Sequence, residues 1–283
     1  MKRLPLLACL VLAAACGLRY GLHDGVRPAS AEGAVLDGLM APELTFPAGL
    51  NGITRGQSLS AFRGKVVWIK FWLRDCPHCR KTLPLAQQMH ELYGNSGLVV
   101  LTIVHQYAPD EVKPFLDQNR YTFPVACDPT GALAQAYQVD RRPTDYVVGI
   151  DGRVRLSNRG PEDVLQEELA RFRVAELGKV PSGLDAVREK VRAWEYGPAL
   201  ALARSAAEPV TAPADVRDFA QRLEALAGER LTADIARAQV LVRLGRADEA
   251  LGLLRSLATG FAGTPHEVRA REALAAREAA AGR

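Results

Sequence analysis

The chain has 283 residues, of which 48% are hydrophobic and 24% are charged, and its formal net charge is +4. At about 150 residues per domain, this length predicts roughly two domains. The ordinary composition excludes a wholly disordered chain, a collagen and a protein with many membrane spans, and 36 basic against 32 acidic residues indicate no nucleic-acid partner. The five cysteines are too few to staple a small disulfide scaffold, and they are unevenly placed, at Cys9, Cys16, Cys76, Cys79 and Cys127.

The N-terminus has the pattern of an export signal. Met1-Lys2-Arg3 precede about a dozen apolar residues, fewer than the roughly 20 that a membrane span needs. Ala13–Gly17 resembles a bacterial lipobox, which implies that Cys16 is lipidated and becomes the mature N-terminus. The alternatives are cleavage after Ala29-Ser30-Ala31, an uncleaved anchor and a cytosolic N-terminal helix. All but the last predict a periplasmic or otherwise extracytoplasmic protein, which a lipid or an anchor would hold at the membrane through its N-terminus.

Strands and helices alternate from Pro42 onwards. Runs of β-branched and aromatic residues predict buried strands, and apolar residues at helical spacing predict helices. The predicted strands cover 66–72, 97–104 and 122–127, followed by a hairpin of 146–150 and 154–156 around Asp151-Gly152. The predicted helices cover 83–92, 110–119 with Asp110 as its N-cap, 130–137 and 161–177. This alternation indicates an α/β sheet with an antiparallel hairpin at one end.

After Pro181-Ser182-Gly183 the composition changes to Ala, Arg and Glu, and no strand is predicted. The predicted helices cover 184–195, 198–206, 214–228, 232–244, 247–259 and 266–280. Leu244–Leu251 resembles the turn between the two helices of a tetratricopeptide-type (TPR) repeat. The sequence therefore predicts a helical, TPR-like C-terminal domain.

The sequence Cys76-Pro77-His78-Cys79 follows the predicted strand 66–72 and precedes a predicted helix. A cysteine at a helix N-terminus faces unpaired backbone N–H groups and the positive end of the helix dipole, which favour the nucleophilic thiolate. The second cysteine lies one turn further along the same face, where it can close a disulfide. His78 is close enough to add a donor or a positive charge to the Cys76 thiolate.

Several segments together resemble the thioredoxin-fold proteins of the TlpA/ResA type. The matching residues are 61–72, Cys76–Arg80, Pro84, Phe123–Val125, Asp128, Tyr137, Arg142–Thr144 and Asp151-Gly152. The resemblance covers about residues 42–177 and implies a thioredoxin fold, in which helices flank a central mixed sheet. The predicted organisation is a signal or lipoprotein segment over 1–18, a linker over 19–41, a thioredoxin-like domain over 42–177 and a helical domain over 184–283.

The resemblance also implies roles for single residues. Cys76 would be the attacking cysteine and Cys79 the resolving one. Pro143 would form a cis peptide bond facing them, and the backbone of Arg142 would pair with the substrate, with Trp72 as a further substrate-binding residue. A zinc half-site and a purely structural disulfide are the alternatives for the cysteine pair, although no second CxxC is present. No metal or organic cofactor is expected, and Cys127 is predicted to be a buried thiol.

Two residues near the cysteines depart from the family pattern. Asp75 stands where the family usually has Trp, and its carboxylate would oppose the Cys76 thiolate. Lys70 stands where thioredoxins have a buried Asp and this branch has Asn. Lys70 could pair with Asp75, could stabilise the thiolate, or could extend its ammonium to the rim of the sheet, and the last interpretation is favoured.

The resemblance predicts an exported thiol–disulfide oxidoreductase that acts on protein substrates and exchanges electrons with an upstream redox partner. The dipeptide Pro77-His78 is found in DsbA-type oxidants, whose potential lies about 150 mV above that of thioredoxin, equivalent to about 7 kcal/mol. Because the scaffold resemblance covers more residues than one dipeptide, the reductase direction is favoured and a DsbA-like thiol oxidase is the alternative. A non-enzymatic protein that binds a partner through its helical tail is the second alternative.

Overall fold

A mixed sheet of six strands forms the first part of the structure, a computed structural model that describes residues 36–155 and 161–281. The strands are β1 (Ala48–Leu50), β2 (Val66–Trp72), β3 (Leu98–His105), β4 (Val125–Asp128), β5 (Thr144–Val148) and β6 (Val154–Arg155). Their order across the sheet is β1-β4-β3-β2-β5-β6. The pairs β4-β3 and β3-β2 are parallel, and the remaining pairs are antiparallel.

Nine helices complete the part of the chain that the structure describes. They are α1 (Pro77–Tyr93), α2 (Pro109–Asn119), α3 (Ala132–Ala136), α4 (Pro161–Glu176), α5 (Asp185–Arg192), α6 (Tyr196–Ala207), α7 (Ala214–Arg243), α8 (Ala247–Gly260) and α9 (Glu267–Ala281). Alternate residues of β2 point to opposite faces of the sheet. Trp68 and Trp72 share a core with residues of α1, α2 and α4, whereas Ile69 and Phe71 pack on the other face with residues of α3. Helices on both faces of a mixed sheet form the thioredoxin fold that the resemblance implies.

The predicted elements of the sheet region are confirmed to within a few residues, with two differences. Strand β1 was not predicted, because Ala48-Gly49-Leu50 is short and follows a proline. It adds to the edge of the sheet by pairing antiparallel with β4. The N-cap of α2 is Ala108 rather than Asp110, because Pro109 takes the first turn and the Glu111 carboxylate accepts from the Ala108 N–H at 2.8 Å.

The predicted linker over 19–41 ends earlier than expected. Within its described part, the Gly38 N–H donates to the Val154 carbonyl and the Ala41 N–H donates to the Gly152 carbonyl, both at 2.9 Å. Leu36 is buried in the core on the α3 side of the sheet. Residues 36–41 therefore belong to the sheet part. The predicted signal segment, the cleavage site and Cys16 lie outside the described residues.

The helical extension, defined here as α5–α9, follows the sheet part. The predicted helices 214–228 and 232–244 are one helix of 30 residues, α7. The expected break is absent because Glu229-Arg230-Leu231 contains no helix breaker, and Leu231 is fully buried. Residues of α5–α9 share one hydrophobic core with α1 and α4. No helix in the described ranges is long and apolar enough to cross a membrane.

Candidate active site

The two cysteines of the CPHC sequence lie at the start of α1, a few residues after the end of β2. Cys76 is the N-cap of α1, and its Sγ accepts a hydrogen bond from the Cys79 backbone N–H at 3.2 Å. Pro77 occupies the first position of the helix, where its fixed φ fits and its missing N–H costs nothing. Cys76 is partly exposed, whereas Cys79 is fully buried, and both are free thiols. A substrate can therefore reach only the first cysteine of the pair.

The loop before β5 faces Cys76. The Arg142-Pro143 peptide bond is cis, as the resemblance implied. The Cys76 thiol lies 4.0 Å from the Arg142 carbonyl oxygen, towards which it points as a donor. The backbone of this loop and the Cys76 sulfur thus line the same opening.

Burial sets the ionisation of Cys79. Burial and, after it, the hydrogen bond with Cys76 raise the pKa of the Cys79 thiol to about 12. A backbone hydrogen bond from Leu73 and the positive charge of Lys70 act in the opposite direction. Cys79 therefore stays protonated at neutral pH while Cys76 is the exposed thiol.

Lys70 does not extend to the rim of the sheet, so the favoured interpretation was wrong. Its side chain is 2% exposed, and its Nζ donates to both oxygens of Asp145, at 3.1 and 3.2 Å. The indole N–H of Trp68 donates to the same carboxylate at 2.8 Å. The expected alternative pairing of Lys70 with Asp75 is also wrong, because Lys70 and Asp145 are direct neighbours in the β2-β5 register.

Asp75 pairs instead with side chains at the surface. Its carboxylate accepts from Arg74 at 3.0 and 3.1 Å, from the Tyr107 hydroxyl at 2.8 Å, and from Arg80 at 3.4 Å. The hydrogen bonds from Arg74 and then from Tyr107 lower the pKa of Asp75. Two guanidinium groups therefore offset the negative charge next to Cys76.

Two other predicted site residues have different surroundings from those expected. Trp72 is fully buried and packs against Phe115, with ring centroids 5.7 Å apart, so the prediction that it contacts substrate was wrong. It faces the core that β2 shares with α1 and α2. His78 is exposed on the first turn of α1, and its ring makes no hydrogen bond or ion pair within the described residues.

Sequence reasoning missed Asp145 and Tyr107. Asp145 follows the Pro143-Thr144 pair by one residue, and its importance becomes visible only when the β2-β5 register is known. Tyr107 lies just beyond β3, in a loop whose sequence carries no motif. Cys127, by contrast, is buried as predicted, and burial raises the pKa of its thiol to about 11.

A thioredoxin fold with a half-exposed and a buried cysteine at the start of a helix, opposite a cis-proline, defines the class of thioredoxin-like proteins. Comparisons with known proteins agree. Residues 38–157 match the sequence profile of the AhpC/TSA family. ResA of Bacillus thuringiensis subsp. konkukian, a thiol-disulfide oxidoreductase, is 30% identical over 116 residues, which cover 40% of this chain and 67% of that protein.

Two further matches are also to proteins named for thiol–disulfide exchange. ResA of Geobacillus thermodenitrificans is 28% identical over 136 residues, covering 47% of this chain and 76% of that protein. A crystal structure from Chlorobium tepidum, assigned as the thiol:disulfide interchange protein DsbE, is 30% identical, covers 48% of this chain and 97% of that one, and gives a TM-score of 0.42. The chain belongs to the ResA-like thiol–disulfide oxidoreductases of the thioredoxin-like AhpC/TSA family, and it is an enzyme of that kind.

Proposed function

We propose that Cys76 and Cys79 are the redox-active dithiol of this enzyme, and that it reduces disulfides in exported proteins. The observation that supports this most directly is the asymmetry of the pair. Cys76 is exposed at a helix N-terminus with a backbone N–H on its sulfur, and Cys79 is buried one turn behind it.

The reaction takes place in two exchanges. The Cys76 thiolate attacks one sulfur of a substrate disulfide, so that a mixed disulfide forms and the other substrate sulfur leaves as a thiolate. Cys79 then loses its proton to solvent and attacks the Cys76 sulfur. The Cys76–Cys79 disulfide forms and the second substrate sulfur leaves as a thiolate. A dithiol of an upstream redox partner returns two electrons to the enzyme by the same exchange in reverse.

The loop at Pro143 is the proposed place for the substrate chain. The Arg142 carbonyl lies 4.0 Å from the Cys76 sulfur, next to a proline that has no N–H of its own. An extended substrate segment that paired with the Arg142 backbone would hold its disulfide against Cys76, as strand addition does in peptide recognition.

The reductase direction is proposed because the structure offers the Cys76 thiolate little stabilisation. A strong oxidant of the DsbA kind owes its potential to a stabilised reduced form. Here one N–H reaches the Cys76 sulfur, a carbonyl faces it, and His78 is turned to the surface. A reduction potential near −120 mV, the value typical of DsbA, would reverse this part of the proposal.

Export rests on the N-terminal sequence. The basic start, the apolar run and the lipobox-like Ala13–Gly17 support a periplasmic enzyme tethered through a lipid on Cys16. Labelling cells with a radioactive fatty acid tests this proposal. Incorporation that persists in Cys16→Ser would contradict it.

The TPR-like helical extension is proposed as a docking surface for a protein partner. It packs on the far half of α1, where Arg243 of α7 pairs with Glu91 at 3.3 Å. Along the helix, Glu91 lies about 22 Å from Cys76, at about 1.5 Å per residue. A partner held there would leave the CPHC sequence open to substrate.

Turnover of insulin disulfides by the purified chain tests the dithiol assignment. We expect Cys76→Ser to abolish activity and Cys79→Ser to trap a mixed disulfide with substrate. Cys127→Ala is the matched control, because it removes the other buried cysteine of the described region and is expected to retain activity. Turnover that persists in Cys76→Ser would contradict the assignment of Cys76 and Cys79 as the redox-active dithiol.

A further inference from the structure

Lys70 is a fully buried charge on the strand that leads into the CPHC sequence. Lysine is almost never buried to this extent without a partner, because removing an ammonium from water is costly. The Lys70 side chain is 2% exposed, and its partner Asp145 is 27% exposed. The pair is therefore closed on the lysine side and open to water on the aspartate side.

The Lys70 side chain lies on the face of β2 that packs against α1, the helix that carries Cys79. Side chains alternate along a strand, so Lys70 lies on the same face of β2 as Trp68 and Trp72. Those two tryptophans share a core with Cys79. Asp145 lies opposite Lys70 in the β2-β5 register, two residues after the cis-proline at 143. The ion pair thus connects the strand before the motif with the loop that faces it.

The charged side chains around Asp75 pair with one another at the surface. Asp75 is held at the surface by Arg74 and Arg80, and its side chain is 57% exposed. The positive charge of Lys70 lowers the pKa of Cys79. Because water screens exposed charges strongly and buried ones weakly, the charge of the buried Lys70 ammonium is screened less than the charges around Asp75.

We propose that Lys70, held in place by Asp145, stabilises the thiolate that Cys79 must form in order to resolve the mixed disulfide. The inference rests on the proposed roles of Cys76 and Cys79. The proton of Cys79 goes to solvent, and its sulfur forms the bond to Cys76 as the substrate thiolate leaves. Asp145 acts through Lys70 and is a positioning residue.

The test uses the aromatic disulfide reagent DTNB (5,5′-dithiobis(2-nitrobenzoic acid)) with the reduced full-length chain. With Cys9, Cys16 and Cys127 replaced by serine, attack by Cys76 releases one coloured thiolate and resolution by Cys79 releases a second, so one trace reports on both cysteines. In Lys70→Met we expect the first release to stay within about twofold of wild type, and the second to slow by about tenfold at pH 7, the change that one pKa unit produces. Asp145→Asn should slow the second release less, in the same direction.

The pH profile separates this role from a structural one. The rate of the second release rises with pH as Cys79 ionises, and in Lys70→Met this rise should move to higher pH by about one unit. Lys70→Arg keeps the charge and should restore most of the rate. The double variant Lys70→Met/Asp145→Asn removes both charges together and preserves folding if Lys70→Met alone does not, since replacing a whole buried pair is often neutral.

Three outcomes would overturn the inference. They are an unchanged second release in Lys70→Met, an equal slowing of both releases, and an unshifted pH profile. The proposed function fails in a different way, since it is contradicted if the first release persists in Cys76→Ser.

Discussion

Two groups of buried charge lie near the two ends of α1, and they differ in how completely their partners satisfy them. The pair Lys70–Asp145 lies beneath the N-terminal end, where both oxygens of the aspartate accept from the lysine. The second group lies between α4 and α7, near the other end, and is called here the interface cluster. Its members are Arg173, Glu176, Tyr196, Arg230, Asp234 and Arg237.

The interface cluster joins the helical extension to the sheet part. Arg230 of α7 donates to Glu176 of α4 at 2.6 Å and to the Asn95 carbonyl at 3.3 Å. Arg173 stacks on Trp194 at 4.0 Å from the ring centroid, but its Nε and Nη1 have no hydrogen-bond partner in the described structure. Burial lowers the pKa of Arg173 to about 10 and raises the pKa of Asp234.

The difference in how completely their partners satisfy them indicates that the two groups of buried charge have separate roles. Removing one partner of a buried ion pair strongly destabilises the folded protein. A charge pair next to a reactive group also shifts the pKa of that group and so changes its reactivity. We therefore expect changes in the interface cluster to act on stability alone, and changes in Lys70–Asp145 to act on the rate of resolution in addition to stability. The predictions below test this separation, beginning with the largest expected effect.

Arg230→Met should lower the free energy of unfolding by about 3 kcal/mol, because it leaves Glu176 partly buried without its cation. Urea denaturation measures the change. Arg188→Met is the matched control, since Arg188 is 45% exposed and pairs with Asp185 at 3.8 Å, and its effect should be within about 0.5 kcal/mol. Glu176→Gln/Arg230→Met should recover part of the loss. A loss in the double variant equal to the sum of the two single losses would show that the pair is not coupled.

The pH dependence of the unfolding free energy of Arg230→Met tests whether the unpaired Glu176 carboxylate causes the loss of stability. Burial raises the pKa of Glu176, and the charge of Arg230 opposes that rise. A carboxyl group whose folded pKa exceeds its unfolded pKa adds stability at low pH, which is lost as pH rises through the folded pKa. The deficit of Arg230→Met relative to wild type should therefore shrink when urea denaturation is repeated at pH 5 instead of pH 7. A deficit that does not change with pH would show that Glu176 does not cause it.

Alkylation with iodoacetamide tests the burial of Cys79. In Cys76→Ser, labelling of Cys79 should stay slow up to about pH 9, because burial raises the pKa of Cys79 and only the thiolate reacts. In Cys79→Ser, labelling of Cys76 should be at least tenfold faster at pH 7, since Cys76 is partly exposed. Mass spectrometry measures both rates. Equal rates for the two cysteines would contradict the asymmetry on which the proposed function rests.

The smallest effect is expected from Asp75→Asn. Its carboxylate lies beside Cys76, but Arg74 and Arg80 already offset its charge at the surface. Alkylation of Cys76 should change by less than about threefold, and the urea midpoint should not move. A larger acceleration would mean that the arginines do not compensate the carboxylate. Asp117→Asn, which removes one side of an exposed ion pair on α2, is the control for general surface charge.

Much of the fold and part of the site could be predicted from the sequence. The strands β2 and β3 are mostly apolar runs, with Lys70 in β2 and Thr102 in β3 among the exceptions, and short-range patterns identify such runs well. Strand β1 was missed because its three residues have no such pattern, and the division of α7 was wrong because burial of Leu231 is a tertiary effect. The position of Cys76 at the start of a helix could be predicted because the start of a helix is a local feature.

The sequence by itself determined the strand–CPHC–helix order and the helical character of the extension, since each depends on neighbouring residues, and the resemblance implied the proline that faces the cysteines. The tertiary structure decided which charges meet. Lys70 and Asp145 are 75 positions apart, and Arg230 and Glu176 are 54 apart. The first of these pairs forms because strand register brings distant residues together, and the second because helices α4 and α7 pack against each other. No local pattern encodes either contact.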